Sequence, residues 1–286
     1  MDVRGSAAIV GGGSGIGRGI ALALADVGVN VAIGDIDEVG AAETRDLATA
    51  KGVRAVAVKV DGTDRSSLEA FADQAEAELG SVNLLSTNVG VVIDQPLASA
   101  TEADWAWVIE FNLMSAVRAV DVFLPQLRQH PGEAAIVVTS SMAGLLATTG
   151  RSGNGNSLGI YVATKHALRG YAECLRYELA PEGIRVSLVC PGLVATNLGV
   201  TSALHRPERY GGRLPEPDVV GRPRPGAMDP ADLGRLVVAA VEAERFAVVT
   251  PAAARREIER RQQRLLDDLD FLAEVEAGTA DGGARP

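Results

Sequence analysis

Aromatic residues are scarce: five Phe, four Tyr and two Trp make up 4% of 286 residues. A core must therefore be assembled from Ala, Val, Leu and Ile. Positive charge is in deficit, with 27 Lys and Arg against 37 Asp and Glu and a net charge of −10. That balance argues against a protein that grips nucleic-acid phosphates. There are two cysteines, Cys174 and Cys190. They fall in a predicted helix and a predicted strand and read as buried free thiols rather than a disulfide. The three histidines, His130, His166 and His205, have no metal-ligand spacing, so no metal site is expected. No uninterrupted apolar run approaches the ~20 residues that span a bilayer. The opening MDVRGSAAIV runs into a strand without the apolar stretch of a secretory signal. The expectation is a cytoplasmic protein with no membrane and no nucleic-acid partner.

What is present is an alternation. Short apolar runs at 7–10, 29–34, 54–60, 82–87, 134–139, 185–190 and 246–250 are rich in Val and Ile without clean polar alternation. Strands covered on both faces have this composition. Helical patterns fall between them at 15–27, 37–51, 64–79, 102–129, 160–180 and 230–244. Strand and helix in turn predict an α/β, Rossmann-type doubly wound parallel sheet of about seven strands. The length suits a single such domain, residues 1–251, followed by a C-terminal extension, 252–286. Within the extension, 252–276 reads as a charged helix and 278–286 as a disordered tail. Two stretches break the alternation: a polar loop at 142–159 and a Pro- and Arg-rich segment at 197–228. The second is long enough to serve as a substrate lid.

The first predicted strand ends in Gly11-Gly12-Gly13-Ser14-Gly15-Ile16-Gly17 and opens directly into a helix. Glycines there permit a tight turn, close backbone approach to a pyrophosphate and close helix–strand packing. The helix N-terminus offers unpaired N–H groups to the phosphates. Gly11, Ser14, Gly15, Ile16 and Gly17 are thus candidate cofactor contacts. The second strand ends at Asp35, whose carboxylate can accept from ribose hydroxyls and would repel a 2′-phosphate. The expected cofactor is NAD. Asp37 is read as a helix cap.

The fifth strand ends in Thr139-Ser140-Ser141, and the following helix begins Tyr161-Val162-Ala163-Thr164-Lys165. Tyr161 and Lys165, four apart, share a helix face. Strand end and helix start meet at the carboxyl edge of the sheet, where open α/β proteins bind ligands. With the glycine turn and Asp35, these residues resemble the short-chain dehydrogenase/reductase family, over about residues 5–250.

The resemblance implies an oxidoreductase moving a hydride between nicotinamide and a secondary alcohol or ketone. It makes Tyr161 the general acid/base, Lys165 its electrostatic support and ribose ligand, Ser141 the group orienting the substrate oxygen, and Asn112 part of a proton relay. It also carries over cofactor contacts at Asp61, Gly62, Asn88, Gly90, Pro191, Gly192, Val194 and Thr196. Val10, Thr87 and Val89 depart from the family pattern, and Tyr161 follows Ser141 at an unusually long interval of 20 residues. A free tyrosine titrates near pH ~10, so action near neutrality needs a depression of roughly 3 units, about 4 kcal/mol. A unit charge at ~4 Å in an effective dielectric of ~20 supplies about that much; Lys165 is its expected source, and oxidised nicotinamide adds a second positive charge.

Two readings compete with this one. A dinucleotide sensor without turnover would not need the Ser141, Tyr161, Lys165 and Asn112 set. A methyltransferase sharing the glycine turn has no use for a Tyr–Lys pair. For the substrate, Met142, Leu145 and Leu146 on one side and Leu198, Val200 and Leu204 on the other suggest apolar walls for a bulky hydrophobic alcohol. Arg206, Arg209, Arg213, Arg222 and Arg224 read as a solvated loop, with recognition of an acidic substrate group as the alternative. A homodimer or homotetramer is expected, with the helices at 102–129 and 160–180 at the interface.

Overall fold

The computed structural model describes residues 4–147, 157–214 and 225–277. They form two units, one ending at Val249 and one beginning at Thr250. The first holds seven strands in the order β3-β2-β1-β4-β5-β6-β7: β1 (Ser6–Val10), β2 (Asn30–Asp35), β3 (Ala55–Lys59), β4 (Leu84–Thr87), β5 (Ala134–Thr139), β6 (Ile184–Cys190) and β7 (Ala247–Val249). All neighbouring pairs are parallel. The order runs outward in both directions from β1 and β4, so the chain reverses sheet direction there. The crevice at the carboxyl ends of these two strands is where such sheets take ligands.

Helices cover both faces. One apolar cluster joins α3 (Arg65–Leu79), α5 (Ser115–Leu127) and α6 (Gly159–Leu179) to the sheet. Phe71 and Phe123, fully buried, meet edge to face within it at 5.6 Å between ring centres. The other cluster joins α1 (Gly15–Asp26), α2 (Glu38–Thr49) and α8 (Pro230–Glu242). Aliphatic residues fill both, as a chain with few aromatic rings requires. Asp37 and Asp229 cap α2 and α8 through their side chains, and Pro230 occupies the first turn of α8.

The 102–129 segment, expected as one helix, is divided. α4 (Glu102–Ile109), opened by the Thr101–Asp104 capping box, passes into a π turn (Glu110–Met114) before α5. One extra residue in that turn re-aims the side chains, and Asn112 lies inside it, fully buried. The 197–228 segment is not all loop: Leu198–Leu204 form a short helix, α7. Of 142–159, Met142–Gly144 make a 3-10 turn, while 148–156 lie outside the described residues, as does the predicted tail at 278–286. Both cysteines are free, but Cys174 is exposed, because its position on α6 faces away from the sheet cluster. In the second unit, residues Arg255–Glu276 form one helix, α9. No described helix is long and apolar enough to cross a membrane.

α1 and α8 touch backbone to backbone. A Cβ on Gly234 would lie 2.1 Å from the Gly19 carbonyl oxygen, and one on Gly19 would lie 2.1 Å from that of Pro230. Neither neighbour is a side chain that can swing aside. Gly234→Ala should therefore lower stability by about 2 kcal/mol through overpacking. A thermal melt should show it as a fall of several degrees, and an unchanged melting temperature would refute this account of the contact.

Candidate active site

The β1–α1 turn is built for a backbone to approach something closely. Gly11 takes φ +77°, and its Cβ would sit 2.9 Å from the Val89 amide nitrogen. A Cβ on Gly17 would lie 1.9 Å from the Gly11 carbonyl oxygen, so only glycine lets α1 start this near the strand. Ser14 is the N-cap of α1 but makes no side-chain capping bond. The first amides of the helix are left to whatever occupies the crevice, a setting suited to phosphate.

Asp35, at the end of β2, accepts from the Gly13 amide at 2.8 Å and the Asp37 amide at 3.0 Å. Each carboxylate oxygen keeps a second lone pair for a ligand hydroxyl. The side chain can come this near because residue 13 is glycine: its Cβ would meet the carboxyl carbon at 2.8 Å. Gly13 therefore places Asp35, a role that spacing alone did not reveal. Lys59, opposite Asp35 on β3, pairs with Glu38 at 3.3 Å.

These groups open on one cavity of about 900 Å³. Gly11, Ser14, Gly15, Ile16, Gly17 and Asp35 line its first part, and Asp61, Gly62, Asn88 and Gly90 continue the wall. Ser141, Tyr161, Lys165, Pro191, Gly192, Val194 and Thr196 complete it. Asn88 braces the strand ends, accepting from Thr139 Oγ1 at 2.8 Å while its backbone N–H donates to the Val10 carbonyl at 2.8 Å. That bond uses the backbone of Val10, so the departure from the family side chain leaves it intact.

Asn112 is the exception among the expected site residues: it stands behind the wall. Its Oδ1 accepts from the Val91 amide at 2.6 Å, and its Nδ2 donates to the Val91 carbonyl and to Thr164 Oγ1, both at 3.0 Å. It ties the segment after β4 to the helix that carries Tyr161 and Lys165.

The Ser141 side chain lies beside the Tyr161 phenol. Burial pushes that phenol above its ordinary value, more than Ser141 pulls its titration down, and Cys190 adds to the rise. Lys165, also buried, is brought down to about 8 by loss of hydration. Its ammonium donates to the Thr139 carbonyl at 3.0 Å and lies 5.5 Å from the Tyr161 ring centre. In this arrangement burial dominates the phenol, and the Lys165 ammonium, its expected counterweight, is held by a backbone carbonyl.

The expected apolar walls are corrected. Met142 and Leu146 are buried away from the cavity, and Leu145 packs on the sheet cluster. Of the opposing set only Leu198 lines it. The apolar lining of the cavity includes Val91, Phe111, Leu193, Val194 and Leu198, with His205, Thr201 and Arg209 among its polar groups. Phe111 carried no local signal, because the π turn that turns it inward was read as regular helix. Among the described residues no cluster of His, Cys, Asp and Glu could hold a metal.

Arg206 is not solvated as expected. It is buried, ion-paired to Asp104 at 2.8 Å, stacked 4.9 Å from the Trp107 ring, and bonded to the Tyr210 carbonyl. Ser202, on α7, accepts from the Val92 amide at 3.0 Å. Together these fasten α7 over the cavity. Arg222 and Arg224 lie outside the described residues.

A model of the short chain dehydrogenase family matches residues 6–206. The chain belongs to that family. This dehydrogenase is 33% identical over 204 residues to the CLA biosynthesis dehydrogenase/reductase of Lactiplantibacillus plantarum, covering 71% of this chain and 68% of that one. It is also 33% identical over 203 residues to the 3-oxoacyl-acyl-carrier-protein reductase FabG of Staphylococcus aureus, covering 69% and 78%. The crystal structure of a short chain dehydrogenase/reductase from Burkholderia phymatum in complex with NAD superimposes with a TM-score of 0.81 at 29% identity, over 100% of this chain and 99% of that one. The dehydrogenase is therefore an oxidoreductase of Rossmann-type fold.

Burial alone would raise the Asp104 carboxyl, but bonds from Gln95, Thr101 and Arg206 hold it at about 2. An unfolded Asp titrates near ~3.9, so the pair's stabilisation is complete above about pH 4 and lost as pH falls toward 2. Asp104→Asn should flatten the acid side of the stability profile by about 2 kcal/mol across that window. Arg206→Leu, which strands a buried carboxylate, should cost about 3 kcal/mol at neutral pH. Denaturant titrations across pH measure both, and a profile unchanged in Asp104→Asn would refute the assignment.

Proposed function

We propose that this dehydrogenase uses NAD to interconvert a secondary alcohol and its ketone, acting on a bulky, largely hydrophobic substrate of the steroid, terpenoid or aryl carbinol kind. The observation that carries the reaction class is Ser141 and Tyr161, with Lys165 one turn further on, lining the same cavity as the glycine turn.

The nicotinamide, when bound, supplies the hydride acceptor or donor. The protein supplies the proton and the positioning. Ser141 holds the substrate oxygen by a hydrogen bond. The Tyr161 oxygen takes the hydroxyl proton during oxidation and returns it to the carbonyl oxygen during reduction. Lys165, fully desolvated, stabilises the phenolate once its ammonium turns from the Thr139 carbonyl, and binds the nicotinamide ribose. Asn112 keeps the Val91 backbone and the Tyr161 helix in register. With NAD bound, Asp61 and Gly62 would contact the adenine, and Asn88, Gly90, Pro191, Gly192, Val194 and Thr196 would hold the rest of the cofactor. Asp35 supports the choice of NAD: a carboxylate accepts ribose hydroxyls and repels a 2′-phosphate.

The apolar lining of Val91, Phe111, Leu193 and Leu198 supports a hydrophobic substrate, since pockets are mostly apolar with few orienting polar groups. The partners are this small molecule and further copies of the chain in a homodimer or homotetramer.

Tyr161→Phe removes only the proton-carrying oxygen. Turnover should fall by about 100-fold or more, while NAD binding stays at the wild-type level. The same titration should find NADP at least about tenfold weaker, about 1.4 kcal/mol. Retained turnover would refute the role of Tyr161, and equal affinities would refute that of Asp35.

A substrate panel followed by nicotinamide absorbance tests the pocket. Apolar ring alcohols should exceed short polyols by roughly 30-fold in kcat/KM, the effect of burying about 2 kcal/mol of ring surface. Faster turnover of sugars would refute the apolar reading, and faster turnover of carboxylated alcohols would instead assign Arg209 to anion recognition.

A further inference from the structure

α9 carries two separate peculiarities. Its apolar residues Ile258, Leu265, Leu269 and Leu272 recur at intervals of seven, four and three, which places them on one stripe. No residue of the helix is buried; Leu265 is 50% exposed, Leu269 59% and Leu272 54%.

The second peculiarity is charge order. Residues 255–264 hold five arginines against two glutamates, whereas 265–276 hold five carboxylates and no Lys or Arg. A helix prefers acids at its N-terminal end and bases at its C-terminal end, because its dipole is positive at the start and negative at the finish. α9 has the opposite order, so both halves are unfavourable for the helix alone. One arrangement cures both defects. Beside an antiparallel copy of itself, each Arg-rich half faces the other's acidic half, and the two leucine stripes meet. A parallel copy would set like charges side by side. At 22 residues the helix is about 33 Å long, enough for several layers of such packing.

We propose that α9 is an interaction surface for a second copy of this chain, in which two α9 helices pair antiparallel through the leucine stripe and are registered by opposite charge blocks.

The test is disulfide trapping of the full-length protein in a Cys174→Ser background. An antiparallel pair brings the middle of the helix onto its own copy and each end onto the other's opposite end. Leu265→Cys should therefore give an interchain disulfide on mild oxidation. Ile258→Cys alone should give none, and a mixture of Ile258→Cys with Leu272→Cys should give the mixed product. Reversing charge by Asp267→Arg, Asp268→Arg and Asp270→Arg in the Leu265→Cys chain should cut trapping at least tenfold. Adding Arg260→Glu, Arg261→Glu and Arg264→Glu to that chain should restore it. No trapping at Leu265→Cys, or self-trapping at Ile258→Cys as fast as at Leu265→Cys, would overturn the proposal. Failure of the second charge reversal to rescue would overturn the charge register. Folding of each variant is verified by circular dichroism, and the reading does not depend on turnover.

Discussion

The closeness of two backbones at the first turn governs much of what surrounds it. With the Gly17 Cβ position 1.9 Å from the Gly11 carbonyl, α1 can begin only where no side chain intervenes. Its N-terminal amides consequently sit at the carboxyl edge of β1, beside the point where the sheet changes direction. Gly13 extends the same constraint to β2, because its missing side chain admits the Asp35 carboxylate against the turn. On its outer side α1 meets α8 through Gly19 and Gly234, again backbone to backbone. A cofactor-sized crevice results from helices packed more tightly than side chains allow.

The other half of the cavity depends on polar groups that never reach it. Asn112 is fully buried and uses both ends of its amide on the Val91 backbone and Thr164. A buried amide left unpaired is costly, so these bonds lock the π turn, the segment after β4 and α6 into one arrangement. Asn88 does the same for β1 and β5. Tyr161 and Lys165 are thereby held on a rigid helix, and their titration reflects that setting: burial raises the phenol and lowers the amine to about 8. For both groups loss of hydration is the leading cause of the shift, because each neutral form is favoured in a buried setting.

The segment that carries α7 is held differently. Its anchor is a buried Arg206–Asp104 pair with an aromatic face beneath the guanidinium. Such a pair strongly resists separation of its partners while adding little net stability over apolar packing. It suits an element whose position matters more than its strength. The hydrophobic lining of the cavity follows in part from the same fastening, since Leu198 lies on the helix that Arg206 and Ser202 hold down.

Local order in the chain was enough to read the family and its fold. Glycines at a strand end, an acid at the next strand end, and a Tyr and Lys four apart are signals carried within a few residues. The physics behind them, tight turns and shared helix faces, is equally local. The alternation of strand and helix likewise specified a parallel sheet. What tertiary structure decided was every feature whose partner is distant in sequence. Arg206 and Asp104 are 102 positions apart, and nothing near either marks the other, so Arg206 looked like one more surface charge. Met142 and Leu146 are apolar wherever they point, and only packing put them in the interior instead of the cavity wall. The π turn left no trace in periodicity, because one extra residue shifts a helical pattern by less than the spread of natural sequences. Tyr161 shows the same division. Its identity and neighbour were legible, but the sign of its titration depended on how much water the fold removes.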